Sequence, residues 1–370
     1  MRKRKCLILS IYPAPYRVEV MDMFRNEFDI SVFFETGSGD SRVNEWFKDG
    51  DYYTLDTAEG GFQFKNMTDD LKSFDLVLLY DYSTPTALEL ILKCILLRIP
   101  YVINADGVML TRHGNIIKDL IKSIAISNAA GCLASGNRAK DYFMKYGAKD
   151  KNIYLHTFST LHANDIEKSP VDLETKNMIR EELAIDKSKF VAIAVGRFIP
   201  LKRYSELIRA WKVMPDNYLL LLVGGGEEEN SYRKIIDELH INNIQIEGFH
   251  PKDELKRFYM AADVFVHPTS YDVWGLVVNE AMSVGLPVIA SDRCVAGLEL
   301  IKTGKNGFIV PMGNDMDMCS KVEILYHNEK LYNDMRVMSL QTICNYTMEN
   351  MASVQIGAFK EILKIENYTH

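Results

Sequence analysis

No CxxC pair occurs among the six cysteines, Cys6, Cys94, Cys132, Cys294, Cys319 and Cys344. This argues against a cysteine-based zinc site, and thiols scattered through 370 residues fit a reducing compartment. No apolar run of bilayer length is present. The stretch from Ala87 to Ile103 carries Glu89, Lys93 and Arg98, whereas a spanning helix needs about 20 mostly apolar residues. Met-Arg-Lys-Arg-Lys resembles the basic start of a secretory signal, but the apolar run after it breaks at Tyr12-Pro13-Ala14-Pro15. A cytoplasmic chain is therefore expected. Basic charge is not in excess: the formal net charge is −7, which argues against nucleic acid as the main partner. There is no internal repeat and no low-complexity tract.

What is present is an ordinary globular balance, 47% hydrophobic and 25% charged. At about 100–200 residues per domain, this length suggests two domains. Residues 1–170 carry a net charge of −1 and the remainder −6, so the near-neutral first half is the better candidate to meet an anionic surface. Short apolar runs alternate with helical segments. In the first half they are Cys6–Ile11, Ile30–Phe34, Leu76–Tyr80, Tyr101–Asn104, Gly131–Ala134 and Ile153–Leu155. In the second half they are Phe190–Val195, Tyr218–Val223, Ile244–Glu247, Val264–His267, Val288–Ala290 and Phe308–Val310. Continuous rather than alternating apolar runs mark strands buried on both faces, and intervening helices make βαβ units on parallel sheets. The expected fold class is α/β, with two doubly wound, Rossmann-like domains facing across a cleft. The expected bounds are 1–168, a linker at 169–188, a second domain at 189–347, and a terminal helix near 348–370 that packs back on the first.

The richest segment is His267 to Asp292, HPTSYDVWGLVVNEAMSVGLPVIASD. A strand ends at His267-Pro268, a loop follows, and a helix opens near Gly275 to Val278 with Glu280 expected in its first turn. Amides at a helix start suit a diphosphate, and a carboxylate one turn in can accept two ribose hydroxyls or simply complement the helix dipole. After the first strand of the second half come Gly196, Arg197 and Lys202. Arg brackets phosphate oxygens and Lys adds a point charge; two solvated loop cations are the plainer alternative. Gly224-Gly225-Gly226-Glu227 is neither G-x-G-x-x-G nor a P-loop, and reads by itself as a turn. Gly248-Phe249 follows another strand end, where the ring would lie near a base or be an ordinary strand-end aromatic.

Taken in order, Gly196-Arg197 with Lys202, Gly224 and Gly226-Glu227, Asp272 with Glu280, and Gly285 to Ala290 resemble the retaining, family-4 type glycosyltransferases (glycosyl transferases group 1) of GT-B fold. The resemblance is specific over about Phe190 to Pro311 and looser before it. It implies that Arg197 and Lys202 stabilise the donor diphosphate, that Glu280 holds the ribose, and that the backbone of Gly275, Leu276 and Val277 meets the distal phosphate. Asp272 stands where the family has a Glu that touches the sugar, one methylene shorter. The implied donor is a nucleotide sugar, a UDP-sugar by family preference, used as a substrate, with no resident cofactor. Metal is not expected, because the cations and the helix start already stabilise the leaving diphosphate.

On the acceptor side, similar transferases carry a Pro-Tyr-Arg like Pro15-Tyr16-Arg17. Asp106-Gly107 stands where many relatives have a His, which makes Asp106 a candidate for a sugar hydroxyl or the acceptor proton; an Asp in a turn is the alternative. His113 lies nearby. The implied acceptor is a glycan or a lipid-linked oligosaccharide of cell-surface polysaccharide synthesis. Ile116 to Ile124 is amphipathic with basic residues. It suits peripheral contact with an anionic membrane surface, or is a sheet-flanking helix with a solvated face. A sugar-nucleotide 2-epimerase of the same architecture and a non-catalytic nucleotide-sugar-binding partner stay open.

Overall fold

In the first half of the chain, apolar runs and amphipathic segments alternate as β1 (Arg4–Ser10), α1 (Pro15–Phe24), β2 (Phe28–Phe34), β3 (Tyr53–Thr54), α2 (Ala58–Asp69), β4 (Leu76–Leu79), α3 (Pro85–Leu97), β5 (Tyr101–Ala105), α4 (Ile116–Ser127), β6 (Gly131–Ala134), α5 (Asn137–Lys145) and β7 (Ile153–Leu155). The structure is a computed structural model that describes residues 2–37, 50–109 and 115–364; His113 lies outside the described residues. The strands pair in parallel in the order β3-β2-β1-β4-β5-β6-β7. Their central residues, such as Leu7, Leu9, Val77, Leu79 and Ile103, are fully buried, as parallel sheets covered on both faces require. Helix starts follow local chemistry. Pro15 opens α1 with its fixed φ, the Thr84 hydroxyl caps α3 by accepting from the Ala87 amide, and the Asn115 side chain caps α4.

The second half continues as α6 (Leu173–Glu182), β8 (Phe190–Val195), α7 (Tyr204–Trp211), β9 (Tyr218–Val223), α8 (Glu229–Leu239), β10 (Ile244–Glu247), α9 (Lys252–Ala261), β11 (Val264–His267), α10 (Leu276–Ser283), β12 (Val288–Ser291), α11 (Val295–Leu300), β13 (Gly307–Val310), α12 (Asp315–His327) and α13 (Glu329–Ile343). The sheet order is β10-β9-β8-β11-β12-β13. Its core is built from β8, β9 and β11 against Leu207, Trp211, Tyr232 and Val322. The last helix, α14 (Met348–Ile362), packs on α1 and on the β6 and β7 side of the first sheet.

The chain divides into two compact units. Unit 1 runs to Thr160 and takes in the chain again from Thr347; unit 2 is Leu161–Tyr346. Residues 169–188, expected as a linker, are instead part of unit 2. Lys176 and Arg180 of α6 reach Asp263 at 2.6 and 2.7 Å, which anchors this helix to the start of β11.

Candidate active site

Each sheet has one place where the strand order reverses. In unit 2 the chain leaves β8 toward β9 and β10, then returns to β11 on the other side. Loops after β8 and β11 therefore flank a crevice at the carboxyl ends of the strands, the usual ligand position of a doubly wound sheet. Gly196, Arg197 and Lys202 lie in the first loop and Asp272 in the second.

Backbone bonds tie these loops together. The Leu201 carbonyl accepts from the Ser270 amide at 2.8 Å and from the Thr269 and Ser270 hydroxyls at 3.0 Å each. That clasp sets Lys202 Nζ 2.6 Å from Asp272 Oδ2, with both side chains largely buried. On the same oxygen, the imidazole Nε2 of fully buried His267 lies at 3.1 Å. Lys202 and His267 hold the Asp272 carboxyl well below the ordinary range despite its burial. Burial in turn pushes His267 down, toward the neutral ring.

Two glycines show why this geometry needs these residues. Gly275 precedes α10 at φ 96°, and a Cβ there would stand 2.7 Å from Cys294 Sγ, so a side chain meets both strain and a clash. At Gly224 a Cβ would lie 2.0 Å from the Gly196 carbonyl oxygen. The glycine loop after β9 thus lies directly on the loop after β8, with the Phe198 amide donating to the Gly225 carbonyl at 2.8 Å. The Gly224 to Gly226 stretch, read from sequence as a turn, is a close approach of two site loops.

Leu276 and Val277 form the first turn of α10, whose leading amides have no carbonyl one turn back to bond. The helix starts at Leu276, within the expected range, and Glu280, its fifth residue, lies in the second turn rather than the first. Its Oε2 accepts from the Tyr259 hydroxyl of α9 at 2.9 Å, and burial raises its carboxyl above the ordinary value. Arg197 and Phe249 are both exposed, at the ends of β8 and β10, and Gly226 follows β9. The strand ends thus present an exposed guanidinium, a lysine paired to an aspartate, a helix start and an exposed ring. Such a set can stabilise an anion and receive a flat base.

In unit 1 the order reverses between β1 and β4. Arg17, in the first turns of α1, donates to Asp81 Oδ2 after β4 and to Asp106 Oδ2 after β5, each at 3.0 Å, and also to the Ser10 hydroxyl. Asn104 Nδ2 donates to Asp106 Oδ1 at 2.6 Å, and its Oδ1 lies 3.2 Å from Nε2 of buried His156. Tyr16 packs edge-on to Phe158, and Tyr16, Arg17 and Asp106 share one small cavity. The sequence reading singled out these three but missed Asp81, Asn104 and His156. It also missed His267 and Tyr259 as partners of Asp272 and Glu280. Asp81 and His267 stand at strand ends, a position that itself signals a site residue.

Residues 175–338 match the model of the family glycosyl transferases group 1. The matched segment spans the whole clasped site of unit 2. An uncharacterized glycosyltransferase of Haemophilus influenzae is 28% identical over 206 residues, 55% of this chain and 56% of that protein. The capsular polysaccharide biosynthesis glycosyltransferase CapM of Staphylococcus aureus is 29% identical over 222 residues, 57% of this chain and 56% of CapM. These alignments span little more than half the length of the curated relatives. Among solved structures, Anabaena HepE, crystallised with UDP, has a TM-score of 0.74 at 19% identity, covering 98% of this chain and 99% of that one. The fold is that of the GT-B glycosyltransferases, two Rossmann-like parallel-sheet domains.

Proposed function

We propose that the chain is a glycosyltransferase of cell-surface polysaccharide or glycoconjugate synthesis. It moves a sugar from a nucleoside diphosphate sugar, a UDP-sugar, to a glycan or lipid-linked acceptor, with retention and without a metal. The observation that carries this reading is Lys202 held 2.6 Å from Asp272 beside the start of α10. The group 1 match, a relative in capsule synthesis, and a neighbour of like fold solved with UDP and with UDP-glucose support it.

The chemistry follows from charge. Breaking the bond between the sugar's C1 and the diphosphate leaves positive charge on the ring and negative charge on the leaving group. Without donor, Asp272 neutralises Lys202. An entering diphosphate competes for that ammonium, while His267 keeps its hold on Asp272. Arg197, Lys202 and the amides of Gly275, Leu276 and Val277 then stabilise the departing oxygen. Glu280, positioned by Tyr259, receives the ribose hydroxyls, and Phe249 offers a face to the base. Asp272 is left at the sugar, where its short side chain selects which hydroxyl it reaches. In unit 1, Tyr16, Arg17 and Asp106 face the acceptor. Peripheral contact with a membrane is the corollary of a lipid-linked acceptor.

A thermal-shift screen of nucleotides and nucleotide sugars tests the donor, because selective binding raises apparent stability. UDP and one UDP-sugar are expected to raise the midpoint. Lys202→Ala is expected to lower kcat/KM for the donor by roughly 100-fold or more, and Glu280→Ala to raise the donor KM by about tenfold. Near-wild-type donor kinetics in both variants would sink the site assignment. Release of a 2-epimer with no transfer to any added glycan would sink the reaction.

A further inference from the structure

The apolar stripe of α4 faces the wrong way for a helix of a soluble domain. Ile116, Ile117, Leu120, Ile121 and Ile124 recur at helical spacing, and all are exposed; Ile116 is 86%, Ile117 69%, Leu120 60% and Ile124 50% accessible. At 100° per residue they fill a sector about 140° wide. Against the sheet the helix buries only Ala125 and Ile126, whose mean direction lies about 160° from the centre of that sector. The polar residues take the inward positions. Asp119 accepts from the Tyr146 hydroxyl at 2.8 Å, and Lys122 lies over the Tyr142 and Tyr146 rings. Amphipathic helices in globular domains do the opposite, because each buried aliphatic side chain gains about 1.5–3 kcal/mol. Five aliphatics facing outward, while an Asp and a Lys face inward, require another occupant for the outer face.

Neighbouring helices extend this surface. Right-handed crossovers place α3, α4 and α5 on one face of the sheet, and buried residues of all three share one core cluster. Leu92 and Leu96 of α3 and Met144 of α5 are exposed as well. The surroundings are basic: residues 115–151 hold seven Lys and Arg against three Asp, in a chain of net −7. Two of those acids already have partners, Asp119 with Tyr146 and Asp150 with Lys140 at 2.6 Å. Lys118 and Lys145 are exposed.

We infer that the outer face of α4 lies on a lipid bilayer that carries anionic headgroups. The helix would rest in the interfacial plane, with its aliphatic stripe among the acyl chains and the exposed Lys118 and Lys145 at the phosphates. No helix among the described residues is long and apolar enough to cross a membrane, which leaves this face to lie on a surface rather than span it. A second copy of the chain is the less suitable occupant, because a symmetric contact would set one basic rim against another. The inference does not rest on the donor-site reading.

Vesicle flotation of the full chain tests it, with phosphatidylcholine alone and with phosphatidylcholine mixed with phosphatidylglycerol. The chain is expected to float with the anionic vesicles, less so at high salt, and to stay behind with the neutral ones. The Ile117→Ser/Leu120→Ser/Ile124→Ser variant is expected to lose at least about tenfold in partitioning, with an unchanged thermal midpoint because these side chains contact no core. Lys118→Glu is expected to weaken flotation while leaving the stripe intact. No flotation of the wild type, or equal flotation of the triple variant, overturns the inference. So does a wild-type dimer that the triple variant dissociates, since the face would then belong to a second copy.

Discussion

Asp272 places a single carboxylate oxygen between an ammonium at 2.6 Å and an imidazole at 3.1 Å. A carboxylate in that position is ionised far below its ordinary pH, because protonation would forfeit both contacts. Its folded value is depressed relative to the unfolded one. The stability it contributes is therefore present above the unfolded value of about 4 and is lost as pH falls through the folded value. Asp272→Asn removes this dependence and leaves Lys202 without its counter-charge. The variant is expected to be less stable than the wild type by about 2 kcal/mol at pH 7. Urea midpoints measured from pH 7 down to pH 2 should show that gap closing in acid. A gap that stays constant down to pH 2 would mean that the carboxylate's charge does not matter to the fold. His267 needs no charge for its part: burial favours the neutral ring, whose Nε2–H suffices as the donor.

At the scale of elements, buried charge rather than apolar contact fixes α6. Lys176, Arg180 and Asp263 are all almost fully buried. The Asp263 carboxylate also accepts from the Val191 amide at 2.7 Å and the Tyr332 hydroxyl at 3.3 Å, so one side chain joins α6, β8, β11 and α13. Removing it leaves two cations buried without a partner, and Asp263→Ala is expected to cost about 3–5 kcal/mol, read as a lower denaturant midpoint with the same slope. This clamp explains one failure of the sequence reading. Lys176 and Arg180 look like solvated residues of a linker, because composition cannot show that a carboxylate 87 and 83 residues on will meet them. The strands were legible for the opposite reason: runs such as Leu219 to Val223 are too apolar to lie anywhere but between two helical layers. The two-residue β3 carries no such run. For the site, strand-end loops and the start of α10 near Gly275 were readable from glycines and cations, but the contacts that hold them were not, because Cys294 crowds Gly275 and the Leu201 carbonyl clasps Thr269 and Ser270 from a distant loop. In α4 the apolar period was plain, while its direction depends on Tyr142 of α5 and Tyr146 just after it, which meet Asp119 and Lys122 on the inward side.

At the scale of the whole molecule, the chain closes unit 1 with its last helix. Phe359 of α14 is buried and meets Phe24 and Phe28 edge-on, at 5.4 and 5.9 Å between ring centres. Buried Gln355 accepts from the Tyr80 hydroxyl at 3.2 Å. The helix packs beside α1 and against β6 and β7, so unit 1 is assembled from two separate stretches of the chain. Truncating one of these rings leaves a cavity against two others, and Phe359→Ala is expected to cost unit 1 about 3–5 kcal/mol. Hydrogen exchange read by mass spectrometry localises that cost. Amides of β1, β2 and β4 are expected to lose protection, because opening of unit 1 becomes more frequent, while those of β8, β9 and β11 keep theirs. Equal loss in both sheets would show that the two units open as one cooperative body, and α14 would then stabilise the molecule rather than the unit it packs on.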